Sequence, residues 1–307
     1  LESLVDTTDA WILERTGIRE RRVAAPDECT SSLAAAAAGD AIKHAGITLD
    51  EVDLLIMATA TPDQPIPHTG AFVGESLGLS CGSFDLAAAC AGFVYGLVVG
   101  NGMLNTGFDH VLVVGAETLS RVTDPADRTT CVLFGDGAGA AVLTRAGPAS
   151  RCGMLAWDVG CDGSRASLLQ IPAGGSRSPT TADTVARGDH YIKMEGREVF
   201  RRAVRVVVES AGATLRKAGM TADAVDWFVP HQANARIIEA AGARLGMSKE
   251  RTVVNIDRYG NTSSASIPLA LFEAAEDGRI RDGDLVLLSG FGAGMTWGSV
   301  LLRWGRK

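Results

Sequence analysis

A chain of 307 residues with 46% apolar and 21% charged side chains can bury a sizeable core, which excludes intrinsic disorder. Its net charge of −7, without a clustered basic run, makes nucleic acid a poor partner, because neutralising phosphates needs grouped Lys and Arg. The longest apolar stretch, 91–104, falls short of the roughly 20 residues of a membrane span and is broken by glycines.

In chain order, the apolar periodicity predicts a helix over 31–45, a strand over 53–59, a helix over 68–77 and a strand over 83–87. A helix over 91–105 and strands over 110–116 and 138–144 follow. The remainder reads as a strand over 153–160, a helix over 195–217, a strand over 226–230 and a helix over 233–245. A strand over 252–256, a helix over 264–277 and strands over 284–290 and 297–303 end the series. Strands alternating with helices imply parallel β-α-β units.

The chain contains a repeat. Ala45-Gly46-Ile47-Thr48-Leu49-Asp50-Glu51-Val52-Asp53 returns as Ala218-Gly219-Met220-Thr221-Ala222-Asp223-Ala224-Val225-Asp226, with six of nine positions identical. The flanking elements match in order, so the repeat predicts two similar halves, 1–150 and 151–307, in a layered α-β-α-β-α body. The counterpart of the strand at 153–160 would fall before Leu1, so the repeat predicts a first strand that the chain lacks.

Cysteines stand at 29, 81, 90, 131, 152 and 161, with no C-x-x-C pair and no His at zinc-ligand spacing. This pattern argues for free thiols in a reducing cytoplasm and against a metal site. Cys90 alone sits between a predicted strand and a predicted helix among small residues, where a helix N-terminus is expected to lower its pKa. His231 follows a strand and precedes a helix, and Asn261 lies in a Gly/Ser/Thr turn entering a helix. Ligands of such folds bind at the carboxyl ends of strands, so the three residues point to one cleft. The glycine runs 135–139 and 290–294 lead into strands rather than helices, which suits an oxyanion hole better than a phosphate loop.

Several motifs carry a family resemblance over nearly the whole chain. They include Asp6-Thr7-Thr8-Asp9-Ala10-Trp11-Ile12, Arg15-Thr16-Gly17-Ile18 and Ala88-Ala89-Cys90-Ala91-Gly92-Phe93. Phe134-Gly135-Asp136-Gly137-Ala138-Gly139, Pro230-His231-Gln232-Ala233-Asn234 and Gly260-Asn261-Thr262-Ser263 complete the set. With them the chain resembles the thiolase superfamily and, within it, the β-ketoacyl-acyl-carrier-protein synthase III branch with its Cys-His-Asn set. The resemblance implies a thiolase-like α/β fold and a homodimer. It also implies condensation of an acyl-CoA primer with malonyl-acyl-carrier protein, with no cofactor or metal.

The resemblance further assigns roles to named positions. Cys90 is the nucleophile, His231 and Asn261 stabilise the enolate, and the amides of Cys90 and Ala293 form the oxyanion hole. Trp11, Arg15, Arg128 and Asn234 match CoA contacts, with Trp11 and Arg128 sandwiching the adenine. Arg201, Arg236 and Arg244 match carrier-protein contacts, and Phe200 matches the pantetheine tunnel wall. Ile66 stands where family members set acyl-pocket depth across the dimer interface, and the segment 170–190 reads as a mobile loop over the site. A polyketide starter-unit synthase or related acyltransferase is the alternative enzyme reading, and an acyl-CoA-binding scaffold the non-enzymatic one.

Overall fold

The structure, a computed structural model, describes residues 1–147 and 150–305; Pro148, Ala149, Arg306 and Lys307 lie outside the described residues. The first repeat contains α1 (Asp9–Thr16), α2 (Thr30–Ala45), β1 (Leu54–Ala58), α3 (Thr69–Leu77), β2 (Gly82–Leu86), α4 (Gly92–Leu104), β3 (His110–Glu117) and β4 (Gly137–Thr144). The second opens with β5 (Gly153–Cys161), β6 (Leu169–Gln170), α5 (Ala182–Ala186), β7 (Lys193–Met194) and α6 (Gly196–Lys217). It continues with β8 (Trp227–Pro230), α7 (Ala235–Leu245), α8 (Ile256–Tyr259), α9 (Ser266–Glu276), β9 (Leu285–Gly292) and β10 (Thr296–Arg303).

The repeated nonapeptide folds the same way in both places. Gly46 after α2 and Gly219 after α6 both take a left-handed φ of 66°, which ends each helix and is open to glycine at little cost. Each segment then makes a short 3-10 turn and enters a strand, β1 or β8. The closing aspartates also match. Asp53 donates its N–H to the His110 carbonyl and accepts the His110 N–H on its carboxylate, and Asp226 makes the same pair of bonds with Leu285.

Two four-stranded sheets result, in the orders β2-β1-β3-β4 and β5-β10-β9-β8. In each, a parallel pair (β1 with β3, β8 with β9) is followed by an antiparallel one (β3 with β4, β9 with β10). Side chains alternate across the first sheet, so Leu55, Met57, Leu112 and Val114 meet Ala34, Ala38 and Ile42 of α2. The opposite-facing Leu54, Ile56, Val111 and Val113 meet Phe93 and Leu97 of α4, Leu271 of α9, and Val229, Val286 and Leu288 of the second sheet. The far face of that sheet, with Phe228, Leu287 and Leu301, is covered by Val199, Val206, Val207 and Leu215 of α6 and Ala241 of α7. These contacts stack the body as helices, sheet, central helices, sheet, helices. Among the described residues no strand pairs with the outer edge of β4, whereas β5 occupies the matching edge of β10.

Two expectations need correction. The strand at 252–256 reduces to a single bridge between Thr252 and Phe228. Val253 still donates to the Phe228 carbonyl, but the Gln232 side chain then accepts the Asn255 N–H and donates to the Val253 carbonyl, so a side chain replaces the ladder. The segment 170–190, read as a loop, holds helix α5, and the β6–β7 ribbon brackets it. Its end is tied by the Ile192 N–H to the Val122 carbonyl.

Candidate active site

Three strand ends meet where the two sheets approach each other. Cys90 lies in the 3-10 turn Ala89–Ala91 between β2 and α4 and is 8% exposed. Ala89 before it takes a φ of 45°, a conformation that favours glycine and is uncommon for other residues. The turn rests on β9: a Cβ added to Gly292 would stand 2.5 Å from the Cys90 nitrogen. The Cys90 amide therefore lies against the residue that precedes Ala293. The Thr296 hydroxyl, 2.9 Å from both the Ala88 and the Ala293 carbonyls, clamps the two segments together.

His231 follows β8, donates its N–H to the Ser289 carbonyl of β9 and is 6% exposed. Its Nδ1 lies 2.6 Å from the Ser266 hydroxyl at the start of α9, and that same oxygen accepts the Gln232 N–H at 3.3 Å. Ser266 Oγ can donate its proton to Nδ1 while accepting from Gln232, an arrangement that places the ring proton on Nε2. Burial holds the imidazole well below its ordinary pKa, at about 3, so it is neutral at physiological pH and Nε2 is a donor. Asn261 accepts the Ser263 N–H on Oδ1 at 2.9 Å, while its own backbone bonds Leu133 and Gly135. Engaging Oδ1 in this way leaves Nδ2 as the group Asn261 can offer. His231 and Asn261 are thus a pair of neutral donors. Replacing Ser266 with Ala should free the imidazole to adopt either tautomer; a hydrogen bond of roughly 1.4 kcal/mol corresponds to an about tenfold loss of any step that needs Nε2–H. Decarboxylation of a malonyl thioester, measured by CO2 release, checks this, and an unchanged rate would refute the orienting role.

The expected lowering of the Cys90 pKa is not found. Burial pushes the thiol up to about 12; a hydrogen bond with the Ser263 hydroxyl works against that rise, and the nearby Glu117 adds to it. Glu117 ends β3 and is itself fully buried. It is ringed by donors: the Ala60 N–H at 3.0 Å, the Thr61 hydroxyl at 2.8 Å, the Ser264 hydroxyl at 2.8 Å and the Ser263 hydroxyl at 3.0 Å. Desolvation raises its pKa, and these hydrogen bonds oppose the rise.

The remaining sequence candidates distribute around the rim. The Arg128 guanidinium stacks over the Trp11 ring at 4.2 Å, so an adenine can enter between them only if Arg128 swings away. Arg15 is exposed, and its carbonyl accepts from the Asn234 side chain, which also caps α7 through the Arg236 N–H. Arg236 lies over the Phe200 ring at 5.9 Å, joining α7 to α6 beside the cleft. Arg201 on the same helix is exposed and paired with Glu198. Arg244 is exposed in the last turn of α7, at the opposite end of that helix from Arg236. A small apolar cavity of about 20 Å³, lined by Ala203, Val207, Ile237 and Phe291, backs His231. Ile66 is 85% exposed.

Comparison with known proteins agrees with this geometry. A family model described as 3-oxoacyl-[acyl-carrier-protein] synthase III matches residues 84–163, and the model of its C-terminal part matches residues 215–304. The β-ketoacyl-[acyl-carrier-protein] synthase III of Symbiobacterium thermophilum is 53% identical over 309 residues, covering 100% of this chain and 93% of the relative. The chain belongs to the β-ketoacyl-acyl-carrier-protein synthase III family. The crystal structure of the synthase III from Thermus thermophilus superposes with a TM-score of 0.91 at 46% identity, covering 100% of this chain and 94% of that one. The priming β-ketosynthase of the R1128 polyketide pathway gives a TM-score of 0.89 at 37% identity, over 99% of this chain and 91% of that one. The thiolase-like α/β fold implied by the sequence motifs is the fold of these synthase III structures.

Sequence reasoning passed over Ser266, Ser263 and Glu117. Glu117 carried a signal: it is the one charged side chain in the apolar run Val111 to Glu117, and a charge at the end of a buried strand needs partners.

Proposed function

We propose that this chain catalyses the decarboxylative condensation of an acyl-CoA primer with malonyl-acyl-carrier protein, the step that begins fatty-acid synthesis. Cys90 takes the acyl group from CoA, and the amides of Cys90 and Ala293 hold the tetrahedral oxyanion. The malonyl thioester then loses CO2, and the His231 Nε2–H and an Asn261 Nδ2–H hold the enolate oxygen. The enolate carbon attacks the acyl carbonyl and releases Cys90. The observation that carries this reading is the neutral donor pair: decarboxylation needs charge stabilised on oxygen and no base at carbon, and a buried imidazole with a pKa of about 3 supplies a donor without a charge.

Around the rim, Trp11, Arg128, Arg15 and Asn234 are the proposed CoA contacts, and the exposed Arg201, Arg236 and Arg244 the proposed contacts of the acidic carrier protein. The exposure of Ile66 supports a homodimer in which the loop 61–67 is covered by a second copy. The six free cysteines suit a reducing cytoplasm. A primer for polyketide synthesis is the second reading, favoured by the likeness to the R1128 priming enzyme.

Native mass spectrometry with a panel of acyl-CoAs tests the proposal. The expected result is a dimer in which each subunit gains one acyl mass, and then loses it to product when malonyl-acyl-carrier protein is added. A chain that gains no acyl mass from any primer is not a condensing enzyme, and a chain that is monomeric at working concentration refutes the dimer. The primer giving the fastest turnover separates fatty-acid from polyketide starters.

A further inference from the structure

His231 and Asn261 must both reach one enolate oxygen, yet they stand on separate stretches of chain. Beside the site these stretches are joined by the side chain of Gln232, which follows His231 directly and is 1% exposed. Its Nε2 donates to the Pro230 carbonyl at 2.7 Å and to the Val253 carbonyl at 3.2 Å, and its Oε1 accepts the Asn255 N–H at 3.0 Å. Both amide hydrogens go to carbonyls and the oxygen goes to an N–H, so the carboxamide fits only one way round. The backbone N–H of Gln232 donates to the Ser266 hydroxyl at 3.3 Å, and that hydroxyl lies 2.6 Å from His231 Nδ1.

The other end of the bridge leads to Asn261. Asn255 stands at the start of α8, and its side chain donates to the Glu273 carboxylate at 2.9 Å. Tyr259, the last residue of α8, donates its hydroxyl to the same carboxylate at 2.6 Å. Gly260 closes the helix on the Ile256 carbonyl with a φ of 68°, and Asn261 comes next. The short helix is therefore a fixed spacer between Asn255 and Asn261. Glu273 and Ser266 both belong to α9, so one helix anchors both donors and Gln232 closes the circuit between them.

No other residue type makes this bridge. Asparagine is shorter by one carbon–carbon bond, about 1.5 Å, and cannot span from His231's neighbour to both Val253 and Asn255. An ionised glutamate has no hydrogen for the two carbonyls, and methionine has the length without donor or acceptor. Val253 and Asn255 are buried, so backbone groups released there lose their partners out of reach of water.

We infer that Gln232 is a positioning residue for the enolate site: its carboxamide fixes the His231 and Asn261 donors relative to each other, so that one oxygen meets both. This inference rests on the condensing-enzyme reading. Gln232 touches no reacting atom. It acts through Ser266 on His231, and through Asn255 and α8 on Asn261. Acylation, which uses the turn Ala89–Ala91 and β9, does not draw on this bridge.

The test compares two rates in each protein: gain of acyl mass from acyl-CoA, and CO2 release from a malonyl thioester. Gln232→Met keeps the length and removes all three side-chain bonds. Its kcat for CO2 release should fall roughly 10- to 100-fold, the scale of a displacement of up to about 1 Å at reacting groups, with KM for the malonyl thioester and the acyl gain both within about threefold of wild type. Gln232→Glu decides the matter if Gln232→Met does not fold. Its neutral acid accepts the Asn255 N–H and donates to one carbonyl, whereas its carboxylate would oppose both carbonyls. The titratable and charged groups around it are the neutral His231 on its own segment, Glu273 on α9, and Asp257, Arg258 and Tyr259 on α8. Burial and Glu273 favour the neutral acid, so CO2 release by this variant should climb as pH falls from about 8 to about 5, while its acyl gain does not.

Nitrogen-15 spectra of the His231 ring, assigned with the His231→Ala protein, read the positioning without substrate. The wild type should hold one tautomer, with its proton on Nε2, and Gln232→Met a mixture of two. A wild type that gains no acyl mass and releases no CO2 ends the condensing reading and leaves the tautomer to decide the bridge. A folded Gln232→Met protein with the wild-type tautomer, or with acyl gain and CO2 release lowered equally, overturns the inference. So does a Gln232→Glu protein whose CO2 release is as flat with pH as the wild type's.

Discussion

Replacing Cys90 with Ser should lower acyl transfer from acyl-CoA by on the order of 1,000-fold or more, while His231→Ala and Asn261→Ala proteins should still gain the acyl mass within about threefold of the wild-type rate. Decarboxylation should divide the other way. The two donor variants should each lose about 100- to 1,000-fold in CO2 release, the usual effect of removing one preorganised donor to a developing oxyanion. The reasoning lies in the bonds each group has left. Cys90 has its amide against Gly292, the residue before Ala293, where an acyl oxygen can be held, whereas His231 and Asn261 offer nitrogen donors, their acceptor atoms being engaged by Ser266 and Ser263. Acylation does not need them. A His231→Ala protein that fails to acylate would overturn this division.

The same geometry sets a pH dependence. Burial lowers His231 from the ordinary 6.5 to about 3, so between pH 5 and 8 the folded imidazole stays neutral and CO2 release should show no inflection near 6.5. An inflection near 6.5 in the wild type that persists in an Asn261→Ala protein, which keeps its histidine, and vanishes in His231→Ala would refute neutrality. For stability the sign is fixed by which state binds the proton. The unfolded histidine takes one below 6.5 and the folded one does not until about 3, so this residue lowers stability as pH falls through that window. Thermal unfolding of His231→Ala should therefore depend less on pH between 6.5 and 4 than the wild type does.

What was legible in the chain follows from how local each signal is. The duplicated nonapeptide was legible because a left-handed glycine, a short turn and a strand-capping aspartate are all set within nine residues, and both copies adopt them. Cys90, His231 and Asn261 stood out because each is a reactive or polar side chain at a strand–helix junction. The strand at 252–256 misled for the opposite reason. Its apolar residues do enter the core, but Gln232, some twenty positions earlier in sequence, takes the hydrogen bonds that a neighbouring strand would have made. No window of sequence contains both partners. The Cys90 pKa failed in the same way. A helix N-terminus is a local feature that lowers it, while the burial that raises it comes from β9 and from the turn at Ser263, both in the other repeat. Ser266 was hidden because its meaning lies in one distant atom, Nδ1 of His231.

Gly292→Ala should yield a folded protein that acylates about 100-fold more slowly or worse. At Gly292 the φ of −157° is extended backbone that alanine adopts freely, so backbone strain does not enter. The effect is one of contact alone. The new Cβ would stand 2.5 Å from the Cys90 nitrogen and 3.1 Å from the Cβ atoms of Ala89 and Cys90, where atoms need roughly 3.5 Å or more. None of these is the end of a flexible side chain. The turn must shift as a unit by about 1 Å, and it already holds Ala89 at a φ of 45°. A displacement of that size at reacting groups is worth about 100-fold. The shift moves the Cys90 amide and sulfur away from the Ala293 amide together, so kcat for acyl transfer should fall while KM for acyl-CoA, whose proposed contacts Trp11 and Arg128 lie at the rim, changes little. Gly102→Ala is the control. Gly102 lies in α4 with open space around its would-be Cβ, so that change should leave acylation intact and raise stability by up to about 1 kcal/mol. A folded Gly292→Ala protein that acylates within about threefold of the wild type would show that the close approach of β9 to the nucleophile's turn does not form the oxyanion site.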